Sequence, residues 1–280
     1  MLMMQTNHIG GGGRPHPIKQ HQPNKSYIQT MGNMRRRYLI HKRISADTFT
    51  KKKTYNSIIP LNIFQTWDNK HNLPSGMRKA MNRIKALNPE FSHQIFTDTE
   101  CHAFIKANFE PGVANAYKRL VPNAYRADLW RYCVLYIKGG IYMDVKYVPN
   151  TNFSFMELTE AEHFSMDANQ RGIYNAFMVA LPKNPDLLLA INKIVENVKQ
   201  RNYGIGFLDV TGPTMLSKII KIGSKTVDMT HKYYDENFQN RVVMYKGKHI
   251  LRCYPNYQAE QVRTGGKHYA ELWQRRNVFR

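Results

Sequence analysis

Hydrophobic and polar positions fall into two regimes that meet near residue 58. Through Ser57 no apolar period is sustained: Gly10 to Gly13, Pro15, Pro17 and many polar residues fill the stretch. Such a segment buries too little surface to offset chain entropy, so residues 1–57 are read as a disordered tail. From Ile58 onward apolar segments alternate with clear punctuation. Ile58 to Phe64 reads as a first strand, with Pro60 near its start. Ser75 to Leu87 places Met77, Met81, Ile84 and Leu87 at helical spacing and stops at Asn88-Pro89. Phe91 to Phe96 returns as a short strand, and Asp98 is placed to cap a helix carrying Cys101, Phe104 and Ile105. Strand, helix, strand, helix predicts an α/β domain over residues 58–280.

Asn123 to Lys138 reads as the most informative helix of this part, entered by Pro122 and ended by Gly139-Gly140. At about 100° per residue, Ala127, Trp130, Val134 and Ile137 make an apolar stripe, while Ala124, Asp128, Arg131 and Leu135 make a second. Asp128 and Arg131 thus point the same way; taken alone they are an ordinary i,i+3 ion pair worth a few tenths of a kcal/mol. Directly after the glycines, Ile141 to Val148 reads as one strand, on which Asp144 and Lys146 face the same side, opposite Val145. A carboxylate that ends a buried parallel strand lies where open α/β sheets bind ligands.

Composition adds a sign. The chain holds 41 Lys and Arg against 20 Asp and Glu, a net +21. Residues 1–57 carry eleven of those bases against the single acid Asp47, or +10, so about half the excess sits in a fifth of the chain. This implies attraction to phosphates, nucleic acid, a membrane surface or an acidic glycan. The tail's aromatics, Tyr27, Tyr38, Phe49 and Tyr55, are not interleaved with its basic runs as a base-stacking platform requires. A solvated extension is therefore preferred to a nucleic-acid anchor, with a basic amphipathic helix from Met34 to Ile44, suited to an anionic membrane, as the other reading. Cys101, Cys133 and Cys253 are too few and too scattered for a disulfide framework. No apolar stretch approaches the roughly 20 residues of a transmembrane helix, and Met1 to Met4 runs at once into polar residues. The expected location is cytoplasmic or peripheral to a membrane.

The run from Asn123 through Asp128 and Arg131 to Gly139-Gly140-Ile-Tyr-Met-Asp144 closely resembles the signature of glycosyltransferase family 32, the DXD sugar-transferase family of yeast-type α-mannosyltransferases, capsule transferases and related glucosylating toxins. Further matches follow in order: Pro60 with Gln65-Thr66-Trp67, Asn175-Ala-Phe-Met, Asn184-Pro185, Thr211-Gly212-Pro213, and His268 five residues before Trp273. Together they span residues 58–280.

The resemblance implies a GT-A fold, a Rossmann-like α/β domain that binds a UDP- or GDP-sugar and transfers the hexose, with retention of configuration, to a glycan or lipid-linked acceptor. It implies that Trp67 stacks on the nucleoside beside Gln65, and that Asp128 and Arg131 hold the donor sugar. Asp144 would bind the ribose or a metal, and Asn175 would lie near the transferred sugar. Arg126, Gly140, Thr211 and Gly212 complete the implied donor site. Asp144, Asp128, Arg131 and Lys146 are the implied catalytic set.

The sequence departs from the family at Lys146, which stands where the motif has its second aspartate. That aspartate normally helps to hold Mn²⁺ or Mg²⁺ against the leaving diphosphate. Two outcomes stay open: Lys146 replaces the cation, or Asp144 and His268, with waters, keep a weaker metal site. A catalytically silent nucleotide-sugar binder and a nucleic-acid-binding protein acting through its tail are the competing readings.

Overall fold

The computed structural model describes residues 47–150, 152–234, 241–255, 257–263 and 268–280. Most of the expected tail, through residue 46, lies outside them. The described end of that stretch, 47–57, has no helix or strand but does not stand clear of the domain. Tyr55 donates to Glu157 at 2.6 Å, Lys52 pairs with Glu160 at 2.5 Å and Asp47 with His249 at 2.5 Å. The folded unit therefore begins earlier than residue 58: besides these polar pairs, Phe49 packs edge-on against Phe153, with ring centroids 4.8 Å apart.

Strand β1 (Asn62–Thr66) starts four residues later than expected, because the chain makes a tight turn in which the Asn62 amide donates to the Pro60 carbonyl at 2.7 Å. Helix α1 (Ser75–Leu87) and strand β2 (Ser92–Phe96) follow as expected. Helix α2 (Asp98–Asn108) is capped one residue before Asp98: the Thr97 side chain accepts from the Glu100 amide while the Glu100 side chain accepts from the Thr97 amide. Helix α3 (Pro111–Arg119) and helix α4 (Asn123–Lys138) lead to strand β3 (Gly140–Met143). Helix α4 is buried on nearly every side rather than along one stripe: Trp130 and Val134 are enclosed, and so are Asp128, Arg131 and Tyr132.

After β3 come strand β4 (Tyr147–Pro149), a 3₁₀ turn at Phe155–Leu158, strand β5 (His163–Met166) and strand β6 (Ile173–Ala180). Helix α5 (Pro185–Gln200) is opened by Asn184, whose side chain accepts from the Leu187 amide. Helix α6 (Pro213–Leu216), strands β7 (Val227–Tyr233), β8 (Arg241–Tyr245) and β9 (Lys248–Cys253), and helices α7 (Tyr257–Arg263) and α8 (Tyr269–Gln274) complete the chain.

The strands form one sheet in the order β2-β1-β3-β6-β5-β7-β8-β9-β4. β2, β1 and β3 are parallel, and β6 joins β3 antiparallel. Alternation along β1, β3 and β6 divides the core: Phe64, Tyr142 and Met178 face the cluster under α2 to α5, while Ile63, Ile141, Met143, Phe177 and Val179 face the other. The sequence placed β3 and β4 in one strand, and this is corrected. The strand stops at Met143, and Asp144, Val145 and Lys146 form a turn in which the Tyr147 amide donates to the Asp144 carbonyl at 3.1 Å. β3 and β4 stand six places apart in the sheet, about 29 Å if it were flat. Three intervening residues span at most about 15 Å. The sheet must curl, and the curl brings its far strands round to the end of β3.

Candidate functional site

The site is built where β3 ends against the first half of α4. Asp128 and Arg131, one helical turn apart, lie with Nη2 and Oδ1 3.1 Å from each other. Asp128 Oδ1 also accepts from Asn175 Nδ2 at 2.9 Å, and its Oδ2 accepts from the Thr211 hydroxyl at 2.7 Å. Arg131 donates to the Asn175 carbonyl at 2.8 Å and to its own helix at the Ala127 carbonyl. Its guanidinium covers the Tyr142 ring at 4.4 Å and reaches Asp144 Oδ1 at 3.3 Å. Asp144 Oδ1 accepts from the Tyr142 hydroxyl at 2.9 Å, and its Oδ2 from Lys146 at 2.5 Å. The turn after β3 thus supplies Asp144, α4 the Asp128–Arg131 pair, the start of β6 Asn175, and the approach to α6 Thr211.

Two acids and two bases are matched in this network, and burial decides how each holds its proton. Burial pushes the Asp128 carboxyl up to about 6, against the pull of Arg131 and Thr211. Burial would also raise Asp144, but Lys146 and Arg131 outweigh it and hold that carboxyl below its usual range. Lys146 is 7% exposed. Burial acts against its charge, yet Asp144 overcomes this and raises its pKa. Both oxygens of Asp128 accept hydrogen bonds, so the ionised carboxylate is the form this geometry fits.

Residues 74–165 match the family model described as a glycosyltransferase sugar-binding region containing a DXD motif. The segment holds α4, the turn after β3, Asp128, Arg131 and Asp144. The segment is thus similar to the sugar-binding region of such transferases. The chain is 28% identical over 129 residues to an initiation-specific alpha-1,6-mannosyltransferase of Candida albicans, covering 44% of this chain and 31% of that protein. It is 29% identical over 178 residues to inositol phosphoceramide mannosyltransferase 3 of Schizosaccharomyces pombe, covering 62% and 48% respectively. The chain thus spans about a third to a half of the length of such relatives. A solved glycosyltransferase, PaToxG, superposes with a TM-score of 0.47 and 17% identity over 70% of this chain and 78% of that one.

The structure brings together Asp128, Arg131, Asp144 and Lys146 of the matched segment with Asn175 and Thr211 from beyond it. Gly212 lies beside them; a Cβ there would stand 3.6 Å from Asp128 Oδ2. Other expected residues have different surroundings. Arg126 is committed to Asp98 at 2.8 Å, to the Leu120 and Val121 carbonyls and to Asn123 Oδ1, so its guanidinium braces the entry to α4. Gly140 opens β3, at the opposite end from Asp144; with φ +112°, it lets the strand pass where a Cβ would stand 2.7 Å from the Asn62 carbonyl. Gln65 is enclosed in β1 and its Oε1 meets His93 at 2.8 Å, which leaves it no open face. Trp67 is half-buried on the cluster of Met77, Met81 and Val145.

Enzymes of the DXD type generally use a divalent metal. The residues present do not fit one. Asp144 offers the one carboxylate at the motif, and its oxygens already take donors from Tyr142, Arg131 and Lys146. Among the described residues no group of three His, Cys, Asp or Glu side chains is arranged to hold a metal ion. His268 caps α8, its Nδ1 accepting from the Ala270 amide at 3.3 Å.

The sequence reading missed the aromatic frame of the site. Tyr132 accepts from Asn175 Nδ2 at 2.7 Å and donates to the Thr211 carbonyl, closing the ring around Asp128. Tyr147 and Tyr174 share a hydrogen bond of 2.7 Å, and Lys146 lies over their rings at 5.3 and 5.5 Å. His231 stacks on Tyr174 at 3.7 Å. Tyr142, two residues before Asp144 and so on its side of the strand, carried a readable signal; the others depend on long-range pairing. Among the described residues no helix is long and apolar enough to cross a membrane.

Proposed function

We infer that the protein transfers a hexose from a nucleotide-diphosphate sugar to a hydroxyl of a glycan or lipid-linked acceptor, with retention of configuration. The observation that carries this reading is the enclosed Asp128–Arg131–Asp144 network at the end of β3, inside the matched sugar-binding region. Mannose is the hexose that agrees with the names of the relatives, and a lipid-linked acceptor agrees with one of them.

In the reaction the bond from the anomeric carbon to the diphosphate oxygen breaks and its electron pair leaves with the diphosphate. The acceptor oxygen bonds the same carbon and releases a proton, which balances the leaving charge. Catalysis then requires stabilised negative charge on the diphosphate more than a strong base. Lys146 and Arg131 supply positive charge at the end of β3, each held in place by a carboxylate. Asp128, fixed by Asn175 and Thr211, presents its carboxylate to the sugar hydroxyls, and Asn175 borders the same space. Asp144 positions both cations. Release of nucleotide from a panel of UDP- and GDP-hexoses tests the reading: turnover of one donor is expected, and neither turnover nor binding of any donor would overturn it.

A further inference from the structure

Two of the four exposed large apolar side chains among the described residues sit on one short loop beside the site. Between α5 and α6 the chain runs Tyr203-Gly204-Ile205-Gly206-Phe207-Leu208-Asp209. Ile205, at its tip, is 89% exposed and Phe207 36%. The loop is fixed from inside. Asp209, itself enclosed, accepts from the Ile205 amide at 3.1 Å, and its own amide donates to the Gly206 carbonyl at 2.9 Å. The Gly204 amide donates to Asn202 Oδ1 at 2.9 Å; with φ +61°, a Cβ there would stand 2.5 Å from Asp209 Oδ2. Tyr125, one helical turn before Asp128, donates to the Phe207 carbonyl at 2.5 Å. The Met215 amide donates to the Leu208 carbonyl, and the Trp273 indole to the Tyr203 carbonyl at 2.8 Å.

Aromatic rings and cations surround this tip. Phe207 packs on Tyr269 with centroids 5.7 Å apart, and Tyr269 on Tyr125 at 6.0 Å. Arg276 is exposed and lies over the Tyr203 ring at 4.6 Å and the Trp273 ring at 5.4 Å. Arg201 and Lys218 are exposed as well. The one acid of the loop, Asp209, is enclosed and paired with Lys218 at 2.5 Å. An apolar tip with aromatic shoulders and a cationic rim has the chemistry of a segment that enters the interface of an anionic bilayer. A glycan would need donors and acceptors from the loop, whereas the backbone groups named above are already bonded within the protein. Acyl chains need none, and a tip so satisfied leaves water without stranding a polar group.

We propose that loop 203–208 docks the protein on an anionic lipid bilayer, Ile205 and Phe207 entering the acyl boundary while Arg201, Lys218 and Arg276 meet the headgroup phosphates. The loop runs directly into Thr211 and Gly212 beside Asp128. Docking therefore presents the donor site to an acceptor carried in that bilayer, a consequence that rests on the functional reading above.

Flotation of the full chain with vesicles of phosphatidylcholine and phosphatidylserine tests this, alongside Ile205→Asp and Ile205→Trp. Ile205→Asp should weaken vesicle binding about fivefold or more. The added tryptophan of Ile205→Trp should shift its emission to the blue on vesicles and be quenched by lipids brominated in the acyl chain. This second readout separates the loop from the basic N-terminal stretch, which can hold anionic vesicles by charge alone. Vesicle-bound protein whose added tryptophan neither shifts nor is quenched, equal binding by Ile205→Asp and the wild type, or no vesicle binding by the wild type would each overturn the dock. So would a shift of that tryptophan with a soluble manno-oligosaccharide, which assigns the loop to a glycan, or with protein concentration alone, which assigns it to a second copy. Vesicle binding requires no donor, so insertion without turnover of any nucleotide-sugar would remove the functional reading and leave the dock. Near-ultraviolet circular dichroism of both variants checks that the fold is kept.

Discussion

Asp128 is the carboxylate proposed to face the donor sugar; it is enclosed, and both its oxygens accept hydrogen bonds. Protonation would put a hydrogen on an oxygen that already receives one from Asn175 or Thr211. With burial holding its pKa near 6, turnover is expected to fall as pH drops through about 6, and a pH–rate profile checks it. Asp128→Asn, which cannot ionise, should lose about 10² or more in turnover and show no inflection there. Lys146 gives the complementary test. Lys146→Asp returns the second carboxylate and removes the ammonium, so the variant should bind nucleotide more tightly with Mn²⁺ than in chelator. Equal binding in the two conditions would mean that Lys146 does not occupy the cation's place.

At the scale of elements, stability and legibility follow the same local rules. The Thr97–Glu100 capping box should be worth about 1 kcal/mol, read as a lower denaturation midpoint in Thr97→Ala. Gly140→Ala should cost about 2 kcal/mol or more, since φ +112° and the Asn62 carbonyl leave a Cβ no room. Helices α1 and α4 were legible to the residue because apolar spacing and flanking Pro and Gly signals are local. The break between β3 and β4 was not. Tyr142, Asp144 and Lys146 alternate with Met143, Val145 and Tyr147 straight through the turn, and a period of two does not register a turn that preserves it. Asp144 and Lys146 still meet as expected, through the turn rather than the pleat. β7, β8 and β9 escaped notice altogether, their pairing being set by contacts between strands. Arg126 and Gly140 have local folding contacts in the structure, and a pattern of residue types does not separate these from binding.

Across the whole molecule, enclosed histidines set the acid limit. Burial lowers His93 to about 4 and His231 to about 3. Their unfolded forms take up protons near pH 6.5, so the unfolded chain binds more protons and stability falls as pH drops from about 6.5 toward those values. Asp128 works the other way: its raised pKa lets the native state hold a proton between about 6 and 4, which offsets part of the loss. Urea midpoints at pH 7 and pH 5 should therefore differ more in the wild type than in His231→Phe, which keeps the stack on Tyr174 without the titrating ring.

The most direct measurement is nucleotide release from a UDP- and GDP-hexose panel by the wild type beside Asp144→Asn, which leaves Lys146 and Arg131 without their shared carboxylate. Turnover of a donor by the wild type, with a loss of about 10² or more in the variant, is the expected result. Equal turnover by the two proteins, or no turnover of any donor by the wild type, would contradict the placement of sugar transfer at the end of β3.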